Sequence, residues 1–267
     1  MAEHYIIHKK KRKFPFDNFS LTLKIIILNI IFFFLSLLLI NFKGDQFFSN
    51  YFAITPSLIL SGKSLWTFLT SMFVHAGFFH LFANMFSLFF IGSFLEKIIG
   101  KKRFFWVYIL SGLVGGAFFV ISGLIFKDLT IPAVGASGAI FGLLGVLAVL
   151  VPYSKIYLIL GPFILMILDV IVNIPLVTNI ISILMIIVIL SLFSFNPSIR
   201  RLAVPVELPM WALPFVAIIP LSIISFFIDL PIGNSAHLGG LVVGLIYGFY
   251  LKRKFPKKTN YIKRVFR

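Results

Sequence analysis

The sequence predicts an all-α polytopic membrane protein, and three observations carry that prediction. The chain of 267 residues is 60% hydrophobic and only 12% charged, far below the roughly 25% of a soluble domain, and its mean hydropathy is +1.07. Its apolar residues fall into about eight runs suited to membrane spans. Its 24 Lys and Arg, against 8 Asp and Glu, concentrate in clusters that flank those runs: KKKRK at 9–13, KKR at 101–103, RR at 200–201 and KRKFPKK at 252–258. Such clusters mark the cytoplasmic ends of spans. The net charge of +16 therefore reads as membrane topology, not as nucleic-acid binding, because no basic stripe lies on a foldable soluble domain.

Residues 1–20 read as a basic cytoplasmic tail. The first apolar run, Leu21 to Phe42, continues into Lys43 and Gly44 without a small-residue cleavage site, so it is expected to be a retained span and not a signal peptide. The following runs are Phe78 to Ile99, Phe104 to Phe126, Ser137 to Val151, Ile156 to Val172, Leu176 to Phe195, Trp211 to Ile228 and His237 to Leu251. Residues 252–267 form a second basic tail, which leaves 21–251 as one membrane domain. Several runs are shorter than the ~20 residues of a perpendicular span. Such helices are tolerated where they begin inside a protein-lined cavity. With the N-terminus inside, eight spans put KKR at 101–103, Lys155, Arg200, Arg201 and both termini on the cytoplasmic face. The 156–195 stretch, turning at Val172, Asn173, Ile174 and Pro175, is expected to be a hairpin of two spans, or one span plus a surface helix. The absence of cysteine excludes disulfides and thiol nucleophiles.

Four polar groups sit where lipid-facing sequence avoids them: Ser137 in GASGAIFG at 135–142, His237 in AHLGG at 236–240, and His80 and Asn84 in one run. Intramembrane polar groups are costly and are read first as a functional site. At a rise of about 1.5 Å per residue, His80 lies about 26 Å above Lys97, Ser137 about 27 Å above Lys155 and His237 about 22 Å above Lys252. Three helices thus bring candidates to one level, near the outer surface where water is available. Gly240, Gly244 and Gly248 follow His237, and Gly138, Gly142 and Gly145 follow Ser137, at the spacing that lets transmembrane helices approach closely.

The residue types suit acyl transfer. A serine hydroxyl needs a neighbouring base, and histidine titrates near neutrality. An oxyanion needs fixed donors, and the His80 ring and Asn84 amide, four residues apart, share a helix face. Other chemistries fail on the sequence: no histidine is followed by a glutamate as the H-E-x-x-H motif of a zinc protease requires, Asp169 is the one aspartate within a run where an aspartyl protease needs two facing carboxylates, and position 139 is Ala where a soluble hydrolase elbow needs Gly. No metal or cofactor is expected. Asp169 reads as a helix-end or water-facing residue, His75 as part of the loop before the second run, and His4 and His8 as tail residues. A transporter is disfavoured by the lack of paired midplane carboxylates and of an evident inverted repeat.

Together, HAGFFHLFAN at 75–84, FLEKIIG at 94–100, GASGAIFG and AHLGGLVVGLIYG at 236–248 resemble the rhomboid family of intramembrane serine proteases over most of residues 66–250. The resemblance implies a six-helix core to which the hairpin at 156–195 is added, with Ser137 as nucleophile and His237 as base. It also implies an oxyanion site from His80, Asn84 and the backbone of Ala136 and Ser137. Transmembrane protein substrates would be cut near the outer surface of what reads as a prokaryotic plasma membrane. A rhomboid-like protein that binds transmembrane segments without cutting them is the alternative. Three positions depart from the family pattern: Phe141 stands where many members have Tyr, Trp66 is followed by Thr67 and not Arg, and more chain separates Ser137 from His237 than a six-helix core needs.

Overall fold

The computed structural model describes residues 19–172, 174–225 and 233–266. Most of the basic N-terminal tail with His4 and His8, the turn residue Asn173, the side chain of Asp169 and the end of the Trp211 to Ile228 run lie outside the described residues.

Helix α1, Leu21–Lys43, starts where the Ser20 hydroxyl accepts the Leu23 N–H, and stops at Gly44, whose φ of 82° an L side chain rarely adopts. Three short helices follow in the connecting segment: α2 (Asp45–Phe52), α3 (Pro56–Leu60) and α4 (Thr67–Thr70). This segment anchors itself through the Trp66 indole N–H, which donates to the Tyr51 carbonyl at 2.9 Å. The buried Thr67 hydroxyl donates to the Ser64 carbonyl at 2.7 Å. That bond satisfies the Thr67 hydroxyl within the segment itself.

The second long run is Phe78–Ile99, built from α5 (Phe78–Ser87), a π-helical turn at Leu88–Gly92 and α6 (Ser93–Ile99). At its end the buried Glu96 carboxylate accepts the Leu21 N–H and the Thr22 N–H, each at 2.8 Å, and the Thr22 hydroxyl at 2.7 Å. These bonds satisfy orphan donors at the start of α1. Gly100 then turns the chain into α7, Lys101–Phe126. Helices α1, Phe78–Ile99 and α7 are each long and apolar enough to cross a membrane, and Ser137–Leu150 and Leu176–Ser191 are shorter apolar helices. The molecule is an integral multi-pass membrane protein, mostly helical as the sequence predicts.

Helix α8, Ser137–Leu150, is the centre of the core: Leu143, Val146 and Leu147 are fully buried, and the helix is apolar on every side, as a helix surrounded by others must be. The chain departs from expectation after it. Residues Lys155–Ile159 form strand β1 and do not begin a helix, pairing antiparallel with β2, Pro205–Pro209. The KIYLI segment is rich in β-branched and aromatic residues, which suit a strand, and Lys155 Nζ lies 2.7 Å from Glu207 Oε1. The helical pair is correspondingly shorter than 156–195: α9 is Gly161–Val172 and α10 is Pro175–Ser191. Then come α11 (Pro197–Arg200), α12 (Leu213–Ser225), α13 (Asn234–Lys254) and α14 (Pro256–Val265).

Helices α7, α8 and α13 pack most tightly because their facing positions are glycines. A Cβ on Gly240 would strike the Gly138 carbonyl, one on Gly244 the Gly142 carbonyl, and one on Gly115 would lie 2.7 Å from the Ala236 carbonyl oxygen. Backbone meets backbone along this seam, the close approach that small residues permit.

Candidate active site

Ser137 is the first residue of α8, reached through Gly135 and the fully buried Ala136. Gly135 has a φ of 123°, and its N–H donates to the Ser71 carbonyl at 2.8 Å. Glycine is required twice over, because a Cβ there would also lie 2.8 Å from both Cε1 and Nε2 of His80. The turn that presents the serine is therefore packed directly on the His80 ring.

His237 enters from the first turn of α13, where its N–H donates to the Gly233 carbonyl at 3.0 Å. Its Nε2 lies 2.8 Å from the Ser137 Oγ, although the two residues are 100 positions apart. The glycine seam produces this distance: Gly138 and Gly240, on the turns that carry the two side chains, are in backbone contact. Phe141, one turn along α8, stacks on the imidazole with ring centroids 4.4 Å apart and planes at 18°. The missing tyrosine hydroxyl leaves that contact intact. Among the described residues the buried His237 Nδ1 has no hydrogen-bond partner, and the Phe141 ring is the contact that orients the imidazole.

His80 and Asn84 stand on successive turns of α5, and the Asn84 side-chain N–H donates to the His80 carbonyl at 2.8 Å. That bond uses one of the two amide hydrogens and fixes the side chain. The Asn84 nitrogen is 3.9 Å from the Cβ position of Gly135, so both α5 groups face the turn before Ser137. The structure thus brings Ser137, His237, His80, Asn84 and Ala136 to one place.

The sequence left His75 unassigned. It is buried, and its ring meets His80 edge to face at a centroid distance of 5.1 Å. Burial first, and the nearby His80 second, hold its imidazole down at a pKa of about 3. The only signal in the sequence was a second histidine five residues before His80. Among the described residues, no three His, Cys, Asp or Glu side chains come together as a metal site would require.

A family model for the rhomboid domain matches residues 62–196 and 181–254. The chain is 44% identical over 81 residues to "Putative rhomboid protease YdcA" of Bacillus subtilis (strain 168), over 30% of this chain and 39% of that protein. It is 38% identical over 91 residues to "Rhomboid protease GluP" of the same organism, over 34% of this chain and 17% of that protein. It is also 37% identical over 87 residues to "Inactive RHOMBOID-like protein 8" of Arabidopsis thaliana, over 33% of this chain and 23% of that protein. The matches span less than half the length of each of these curated relatives.

Proposed function

Because the chain belongs to the rhomboid family, which includes proteins named as proteases and one named as inactive, we propose that it is an active intramembrane serine endopeptidase. The observation that carries this reading is the 2.8 Å contact between Ser137 Oγ and His237 Nε2. A protein that only binds transmembrane segments has no use for a hydroxyl and an imidazole held at that distance.

In the proposed reaction, His237 Nε2 takes the Ser137 proton as Oγ attacks the scissile carbonyl and the new C–O bond forms. The oxyanion is held by the free N–H of the Asn84 amide, a ring N–H of His80 and the Ser137 backbone N–H, which has no intrahelical acceptor in the first turn of α8. Collapse breaks the scissile C–N bond, the leaving amine takes the proton from His237, and the acyl group stays on Ser137 Oγ. The same imidazole then activates a water that hydrolyses the acyl-enzyme.

The substrates of this reading are transmembrane proteins, cut near the outer surface. The orientation puts both termini in the cytoplasm of a prokaryotic cell, which is supported by the basic clusters at 101–103, 200–201 and 252–258. A fluorophosphonate probe applied to membranes tests the proposal: labelling of the parent and not of Ser137→Ala is expected, together with cleavage of a single-span substrate by purified protein. An unlabelled, non-cleaving parent that still retains single-span proteins would establish the binding-only alternative.

A further inference from the structure

At the start of α1 and α7, far along the spans from Ser137, lies a cleft of about 360 Å³ lined by Leu21, Lys24, Lys101, Lys102 and Phe105. Three of its five lining residues are lysines, contributed by two helices. Lys101 gives one of its three N–H groups to the Phe19 carbonyl at 3.2 Å.

The walls are apolar, with Leu21 on one side and a partly exposed Phe105 on the other. Along α1, exposed Leu28, Ile31 and Leu35 continue from Lys24 at steps of four, three and four residues, which is one helix face. A basic pocket thus opens onto an apolar track that runs into the membrane. We infer that this cleft binds an anionic phospholipid, with its phosphate among Lys24, Lys101 and Lys102 and an acyl chain along Leu28, Ile31 and Leu35. A free phosphate gains nothing from that track, which decides between the two sources of the same anion. The inference rests on the chain spanning a membrane and not on its being a protease.

The test is thermal melting of the full-length protein in detergent, titrated with dioleoyl phosphatidylglycerol, dioleoyl phosphatidylcholine or glycerol 1-phosphate. A saturable rise in Tm with the anionic lipid alone is expected. Lys24→Gln/Lys101→Gln/Lys102→Gln should weaken it about 100-fold, at about fivefold for each lysine near the membrane surface. Lys257→Gln/Lys258→Gln/Lys263→Gln, the same charge change on α14, should leave it unchanged. Should the first triple variant fail to fold, Lys102→Glu at an exposed position replaces it, with a loss of about tenfold or more expected. Equal loss in the α14 variant, or an equal rise with glycerol 1-phosphate or phosphatidylcholine, overturns the inference.

Discussion

Replacing Gly240 by alanine is the most direct trial of how the fold creates the site. The added Cβ would lie 2.8 Å from the Gly138 carbonyl carbon and 3.4 Å from its Cα, and closer still to the carbonyl oxygen. Non-bonded carbons settle at about 3.5–4.0 Å, and backbone cannot rotate away as a side chain can, so α8 and α13 must separate by about 1 Å. Added to the 2.8 Å between Ser137 Oγ and His237 Nε2, that displacement leaves about 3.8 Å, beyond a hydrogen bond. Misplacement of this size costs about 10²-fold in rate, and the overpacking costs about 1–3 kcal/mol in stability. The assay is turnover of a single-span reporter in reconstituted vesicles, paired with melting in detergent. Val242→Leu, two positions on and only half-buried, serves as the tolerated control, and Gly240→Val should be worse than alanine. Parental turnover and Tm in Gly240→Ala would refute the argument that the glycine seam brings serine to histidine.

Ser137→Ala and His237→Ala should each abolish cleavage without loss of expression or membrane insertion; substantial residual turnover in both would end the assignment of the pair. Asn84→Ala should slow turnover by about 10²-fold with little change in substrate affinity, and an unchanged rate would reduce Asn84 to packing. Glu96→Ala deletes three hydrogen bonds to a buried carboxylate and should cost about 3 kcal/mol, read as a lower Tm; a Tm equal to the parent's would show that water replaces the cap. His75 is held neutral with its pKa at about 3, so below about pH 6.5 the unfolded chain binds the proton that the folded one refuses and stability falls, by about 2 kcal/mol at pH 5. His75→Gln should flatten the Tm profile between pH 7 and 5, and an identical profile in that variant would contradict the assignment.

The helices were legible because each is a local property of the chain: Leu21–Lys43, Phe78–Ile99 and Ser137–Leu150 appear within a residue or two of their apolar runs. That Ser137 and His237 lie at one level on closely packed helices was legible across 100 residues from the two glycine stripes beside them and from transmembrane direction, which turns residue count into depth; their pairing as nucleophile and base came from the family resemblance. The ribbon was not legible. In β1, KIYLI continues directly into the apolar run of α9, and its partner PVELP carries prolines at both ends, which read as a loop until the pairing Lys155↔Pro209 through Ile159↔Pro205 places them at the ribbon's ends. The stacking of Phe141 on His237 was expected from the family resemblance, whereas the burial of His75 against His80 depends on side-chain direction in three dimensions, which spacing alone does not carry.

The Glu96 cap also sets an order of events during synthesis. The donors at Leu21 and Thr22 are made 75 and 74 residues before the carboxylate that receives them, an interval of about 4–15 s at a translation rate of roughly 5–20 residues per second. During that interval the Ser20 hydroxyl can cap the Leu23 N–H, but the Leu21 and Thr22 donors can draw only on water or lipid headgroups. The nascent first helix is thus free to slide and tilt until the second span arrives and its carboxylate pins the two at a common level. A growing chain that stalls between residues 43 and 96 would hold an inserted but unlatched helix.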